Sequence, residues 1–221
     1  MKISYFLISI LFLVGSSCKQ EKKERHNPKI ETESFKSKGD MAYENVIALN
    51  SDSSINMIVE ISAGTTAKYE MNKNTYQIVM DSIDGQPRYI NYLGYPGNYG
   101  MIPNTILSKS EGGDGDPLDI LLLGVSQSRG SIQKARMVGV MKLLDNGEQD
   151  DKILAVPLTE KWSKVQNIED LDLHFPGARD IVSIFFTNYK AKGEMKFESW
   201  GGRKEAMKVV NLAHDYPSLK K

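Results

Sequence analysis

The chain has 221 residues, 40% of them hydrophobic and 25% charged, the composition of an ordinary globular protein with one main domain. Lys plus Arg equals Asp plus Glu at 28 each, so no bulk positive field draws the chain to nucleic acid, and any anionic ligand must be held by local basic residues. The single cysteine excludes a disulfide framework.

Lys2 precedes an apolar segment, residues 3–14, which ends in Gly15-Ser16-Ser17-Cys18 before a charged run. A bilayer span takes roughly 20 residues. This shorter segment has the length of a secretory signal core, so residues 1–17 read as a signal peptide. The small residues before Cys18 resemble the cleavage box of a bacterial lipoprotein signal, with Gly15 standing where that pattern has Leu. That resemblance implies export, lipidation of Cys18 and anchoring to a membrane on the periplasmic side or the cell exterior. Plain secretion is the alternative. Having no other thiol suits an exported chain, and stable anchoring takes more than one acyl chain. Residues 18–50 are dominated by Lys, Glu, Ser and Thr; they offer too little apolar surface to offset their ordering entropy and read as a flexible tether. Residues 51–221 remain for the folded domain.

Order is expected from about residue 56, where Met57, Val59 and Ile61 alternate with Ile58 and Glu60 as in a half-buried strand. Glu60 then faces away from Met57 and Val59. A second extended piece, residues 67–71, carries Lys68 and Glu70 at one parity, so their side chains share a face. From these residues alone a salt bridge on a surface strand is the better reading of that pair. Residues 77–80 form a further short strand. Arg88 then leads into a non-periodic stretch, residues 89–100, rich in Tyr and punctuated by Gly and Pro. Phenol hydroxyls with one guanidinium suit grasping a phosphate, and packing of tyrosines over a barrel end is an even alternative.

Asp114-Gly115-Asp116-Pro117-Leu118-Asp119 follows, running into the buried strand at residues 120–124. Carboxylates crowded beside a buried strand repel one another and are costly to desolvate. Hard divalent cations such as Mg²⁺, which take oxygen ligands and are shared with substrate phosphates, are the natural counter-charge. A solvated acidic turn is the rival. An EF-hand loop fails at Leu118 and Asp119. Residues 135–144 form another strand, ending in a second acidic cluster with Asp145, Glu148, Asp150 and Asp151, and with Lys152 just beyond. Asn146-Gly147 is a hairpin turn signal, and residues 153–156 make the returning strand. Ile181, Ile184, Phe185 and Tyr189 have helical spacing over residues 178–190, closed by Gly193, and residues 204–214 form a final helix. Strands first and helices after argue for an α+β domain.

With those pieces in order, the sequence resembles the soluble, Mg²⁺-dependent inorganic pyrophosphatases of family I. Their signature, Asp-Gly-Asp-Pro-aliphatic-Asp-aliphatic, is matched at every position of residues 114–120. Glu60, Lys68-Tyr69-Glu70, Arg88, Tyr95 and Asn98-Tyr99-Gly100 precede it in family order, and Asp145, Asp150, Lys152 and Tyr189-Lys190 follow. The likeness runs over residues 56–200. It implies a small closed OB-like β-barrel flanked by C-terminal helices, with residues 51–221 as the catalytic domain. The implied activity is hydrolysis of inorganic pyrophosphate to two phosphates, with several Mg²⁺ per site, Mn²⁺ as a substitute, and a homo-oligomer.

By the same resemblance, Asp114, Asp119 and Asp150 hold a first metal, with Asp119 bridging to a second. Asp145 and Asp150 hold a further metal that arrives with substrate, and Glu70 is a peripheral metal contact. Asp116 takes the place of the general base. Lys68, Arg88, Tyr99, Lys152, Tyr189 and Lys190 match the phosphate-binding groups, while Glu60 and Tyr95 match supporting positions. Two other classes stay in view: a non-catalytic exported OB-like binding module, and a lapsed pyrophosphatase kept as a scaffold.

Overall fold

The computed structural model describes residues 43–113, 115–190 and 193–214. The signal segment, Cys18, most of the tether and Asp114 lie outside the described residues. In chain order the strands are β1 (Ile55–Ile61), β2 (Tyr69–Asn72), β3 (Gln77–Met80), β4 (Ser82–Ile83), β5 (Gln86–Pro87), β6 (Asn98–Met101), β7 (Asp119–Leu122), β8 (Ile132–Asp145), β9 (Glu148–Gln149) and β10 (Lys152–Pro157). Helices α1 (Ile168–His174) and α2 (Ala178–Asn188), strand β11 (Met195–Gly202) and helix α3 (Arg203–His214) complete them.

Strand pairing closes a ring. β1 pairs with β6, β6 with β7, β7 in parallel with β10, β10 with β8, and β8 back with β1. β8 makes this closure: over its 14 residues, Ile132–Ala135 pairs with β1 and Gly139–Asp145 pairs with β11. The α+β class and the closed arrangement are those expected.

Alternation with period 2 explains the composition of the ring strands. On β7, Ile120 and Leu122 join one core with Met57, Val59, Met137, Ile153 and, from α3, Ala206 and Val210. Leu121 and Leu123 join another with Val138, Leu154, Val182 and Phe186. Burial on both faces is what a continuous apolar run encodes.

Several expectations are corrected. β1 is buried on both faces rather than half-buried, since Ile58 packs with Ile78 and Met101 while Met57 and Val59 pack on the other side. Residues 43–50 do not behave as tether: Tyr43, Val46 and Ala48 are buried, and the Tyr43 hydroxyl donates to the Gly130 carbonyl at 2.8 Å. The tyrosine-rich stretch ends as a strand, β6, because its backbone finds β1 on one side and β7 on the other. The last third is not all helical; β11 adds to the open edge of β8. Helix α1, unpredicted, is capped by Asn167, whose side chain accepts from the Asp170 amide at 2.8 Å. α2 stops at Asn188 with Tyr189 as its C-cap. Gly193, with φ +92°, belongs to the turn before β11 instead.

Candidate active site

One pair of residues sets the geometry. Parallel pairing of β7 and β10 brings Asp119 into register with Lys152, each the first residue of its strand. Asp150 precedes Lys152 by two positions and shares its face, and Lys152 Nζ pairs with both carboxylates. Lys152 is buried; burial opposes its charge, yet Asp119 and Asp150 outweigh it and hold the ammonium above the ordinary lysine range. Burial pushes the Asp119 carboxyl up, with Lys152 pulling against it and Asp150 adding to the rise. The ammonium between two carboxylates stays charged.

Tyr99, on β6, lines a cavity with Asp119, and its hydroxyl favours the charged form of that carboxyl. Burial pushes its phenol well up, as it does those of Tyr95 and Tyr189, so all three remain hydroxyl donors through neutral pH. Tyr95 stands one layer back: it is 2% exposed, with its ring 5.1 Å from those of Tyr99 and Phe185 and 6.3 Å from that of Tyr189. It packs the two site tyrosines. Tyr189 caps α2, its amide still bonding the Phe185 carbonyl at 2.9 Å, and Lys190, the next residue, pairs through Nζ with Asp145 at the end of β8.

The opposite wall comes from the small sheets. Backbone bonds knit Lys68, Asp81 and Arg88 together: Lys68 N to Arg88 O at 3.0 Å, Asp81 N to Lys68 O at 2.9 Å and Arg88 N to Asp81 O at 2.8 Å. Asp81 takes Arg88 at 2.9 Å and Lys68 at 3.6 Å, and Lys68 also pairs with Glu70. Burial pushes the Lys68 ammonium down, while Asp81 acts to keep it charged. Glu60 falls at the register shift between Val59 and Ile61, the kind of irregularity that re-aims a side chain. Its carboxylate accepts from the Met71 amide at 2.7 Å, and burial pushes it up to about 8.

These groups surround one cavity of about 300 Å³. Glu60, Lys68, Glu70, Arg88, Tyr99, Asp116, Asp119, Asp145, Asp150, Lys152, Tyr189 and Lys190 all line it. Of the sequence-predicted set, Tyr95 lies behind the wall and Asp114 is outside the described residues. Two charged residues were not foreseen. Lys73, just past β2, lines the cavity and pairs with Asp116; its place straight after the Lys68 to Glu70 strand was the available signal. Asp81, which orders Lys68 and Arg88, lies one residue beyond the 77–80 strand and carries no signal of its own.

Among the described residues no three Asp, Glu, His or Cys side chains converge as a ligand cluster. The cavity carboxylates lean on lysines instead: Asp116 on Lys73, Asp119 and Asp150 on Lys152, Asp145 on Lys190 and Glu70 on Lys68. The donor chemistry is carboxylate oxygen without thiol or imidazole, which fits a hard divalent cation such as Mg²⁺ and not a soft one.

Cations, phenol donors and carboxylates interleaved around a small cavity at one end of a closed strand ring make a site for a compact polyanion handled together with cations. The chain belongs to the inorganic pyrophosphatase family, whose model matches residues 57–217. It is 37% identical over 161 residues to the inorganic pyrophosphatase of Xanthomonas campestris pv. campestris, covering 71% of this chain and 85% of that one. Among solved structures it resembles the inorganic pyrophosphatase of Neisseria gonorrhoeae, with TM-score 0.66 and 31% identity over 81% of this chain and 99% of that one. It also resembles the N-terminally truncated vacuolar soluble pyrophosphatase of Trypanosoma cruzi in complex with pyrophosphate, with TM-score 0.70 and 28% identity over 73% of this chain and 67% of that one.

Proposed function

We propose that the chain hydrolyses inorganic pyrophosphate to two phosphates with Mg²⁺ and an activated water. The observation that carries this is the single cavity in which residues from Glu60 to Lys190, supplied by separate strands and loops, interleave cations with carboxylates. Pyrophosphate repels an incoming nucleophile until its charge is offset. Lys68, Arg88, Lys152 and Lys190 supply that offset, and Tyr99 and Tyr189 donate hydrogen bonds to the phosphoryl oxygens. Asp114, Asp119, Asp145 and Asp150, with Glu70 at the periphery, hold the cations. Bound Mg²⁺ supplies charge neutralisation and a water more acidic than bulk. Asp116, exposed at the cavity mouth, is the group that would take the proton from the attacking water. Lys152, already bridging Asp119 and Asp150, is placed to stabilise charge on the departing phosphate.

The test is phosphate release by the purified chain. Release from Mg²⁺-pyrophosphate, abolished by chelator, is expected; none with either Mg²⁺ or Mn²⁺ overturns the reading. The chain is further proposed to be an exported lipoprotein anchored at Cys18, supported by Lys2, the apolar residues 3–14 and the small residues before Cys18. No helix among the described residues is long and apolar enough to cross a membrane. Mass spectrometry of the mature N-terminus decides: a diacylated Cys18 is expected, and an unmodified cleaved or intact terminus overturns it. A homo-oligomer is proposed with it, checked by light scattering.

A further inference from the structure

The second acidic hairpin holds a carboxylate for which the proposed chemistry has no use. Asp151 lies between Asp150 and Lys152, and extended backbone alternates its side chains. Its two neighbours line the cavity, while its own carboxylate turns the other way and is only 3% exposed. There it gathers three partners. Lys142 Nζ, on β8, pairs with Oδ2; the Leu143 amide reaches Oδ1 at 3.4 Å; Gln149 Nε2 donates to both oxygens at 3.1 Å. The Gln149 amide oxygen lies against Gly112, where an added Cβ would stand 3.4 Å from it. One buried carboxylate therefore ties β8 to the hairpin.

The backbone transmits this hold to the site. Asp150 N donates to Leu143 O at 2.9 Å, so Asp150 hangs on the residue whose amide Asp151 secures. Burying a carboxylate is costly unless it is paired and hydrogen-bonded, and an apolar side chain would fill such a position as stably. What the charged arrangement adds is a fixed orientation. Because Asp151 grips from one face, Asp150 and Lys152 must project from the other.

Resting on the metal-assisted reading above, we propose that Asp151 is a positioning residue: through Lys142, Leu143 and Gln149 it holds the hairpin so that Asp150 and Lys152 enter the cavity, and it thereby sets the Mg²⁺ affinity of the site. The experiment is a double-mutant cycle on the full chain with Asp151→Asn, Lys142→Met and the pair. Mg²⁺ binding is followed by calorimetry without pyrophosphate, and amide exchange is followed across the hairpin. Asp151→Asn keeps the volume and one acceptor, and Lys142→Met probes the same clamp from its other side. Each single variant is expected to weaken Mg²⁺ binding about 10- to 100-fold and to speed exchange at the Leu143 and Asp150 amides, with the pair weaker by less than the product. Lys134→Ala, which removes the exposed pair with Asp52, is expected to change neither. Variants that melt earlier yet bind Mg²⁺ as the parent does overturn the proposal. A parent that neither binds Mg²⁺ nor releases phosphate overturns the proposed activity instead, and unchanged hairpin exchange in the variants then overturns the clamp independently.

Discussion

Asp116 and Asp119 share a motif but not an environment. Asp116 is half exposed and pairs with Lys73, whereas Asp119 is less exposed and shares Lys152 with Asp150. Asp116→Asn is expected to lower turnover about 10²- to 10⁴-fold, the usual weight of general-base catalysis, with Mg²⁺ affinity kept; Asp119→Asn is expected to lower both. Equal losses of Mg²⁺ affinity in the two variants, read by calorimetry, would remove this division. Glu60 offers a pH test. Its folded carboxyl titrates near 8 against 4.5 in the unfolded chain, so between those values the folded state alone retains the proton. Stability conferred below pH 4.5 is then lost as pH rises toward 8, at up to about 1.4 kcal/mol per unit. In chelator, Glu60→Gln is expected to flatten the fall in melting temperature from pH 5 to 8. A variant with the parent's slope would contradict the assignment.

The ring depends on close approach between β1 and β6. A Cβ added at Gly100 would lie 2.0 Å from the Ile58 carbonyl oxygen, so this glycine is required by contact with backbone that cannot step aside. Gly100→Ala is expected to cost about 1–3 kcal/mol, as overpacking does, and to displace the neighbouring Tyr99 from the cavity wall. A urea melt is the measure, and a variant as stable as the parent would refute the close contact. The parallel pairing of β7 with β10 has an equally local consequence, since shifting the register by one residue would turn either Asp119 or Lys152 out of the site.

At the scale of the described domain, the cavity gathers carboxylates whose mutual repulsion is relieved by lysines and, in the proposed state, by cations. Ligands that bind only the native state stabilise it by mass action, about 2.7 kcal/mol at one hundred times the dissociation constant. Mg²⁺ is therefore expected to raise the melting temperature progressively until its sites fill, and EDTA to reverse the gain. A melting temperature indifferent to Mg²⁺ would argue against the proposed cation sites.

Much of this was legible in the residues. The Asp-Gly-Asp-Pro-Leu-Asp motif, the apolar run after it, the Asn146-Gly147 turn and the helical spacing over residues 178–190 are local patterns, written in neighbouring side chains. They placed the elements, while the groups that line the cavity, Lys73 excepted, were named by the family resemblance that the ordered set of residues carries. β6, β11, α1 and the burial of residues 43–50 were not legible, because each owes its form to a partner distant in the chain: β1 and β7 for β6, the open edge of β8 for β11, and Gly130 for Tyr43. Short strands have little propensity of their own and are stabilised by the neighbours they meet. Lys73 and Asp81 were missed for the same reason, since an ordinary charged residue acquires a role only through what the fold sets beside it. The acidic, basic and tyrosyl groups of the site were present in the sequence as an ordered set. Which ammonium stands beside which carboxylate was decided by the ring, whose parallel β7–β10 register sets Lys152 against Asp119 across 33 positions of chain.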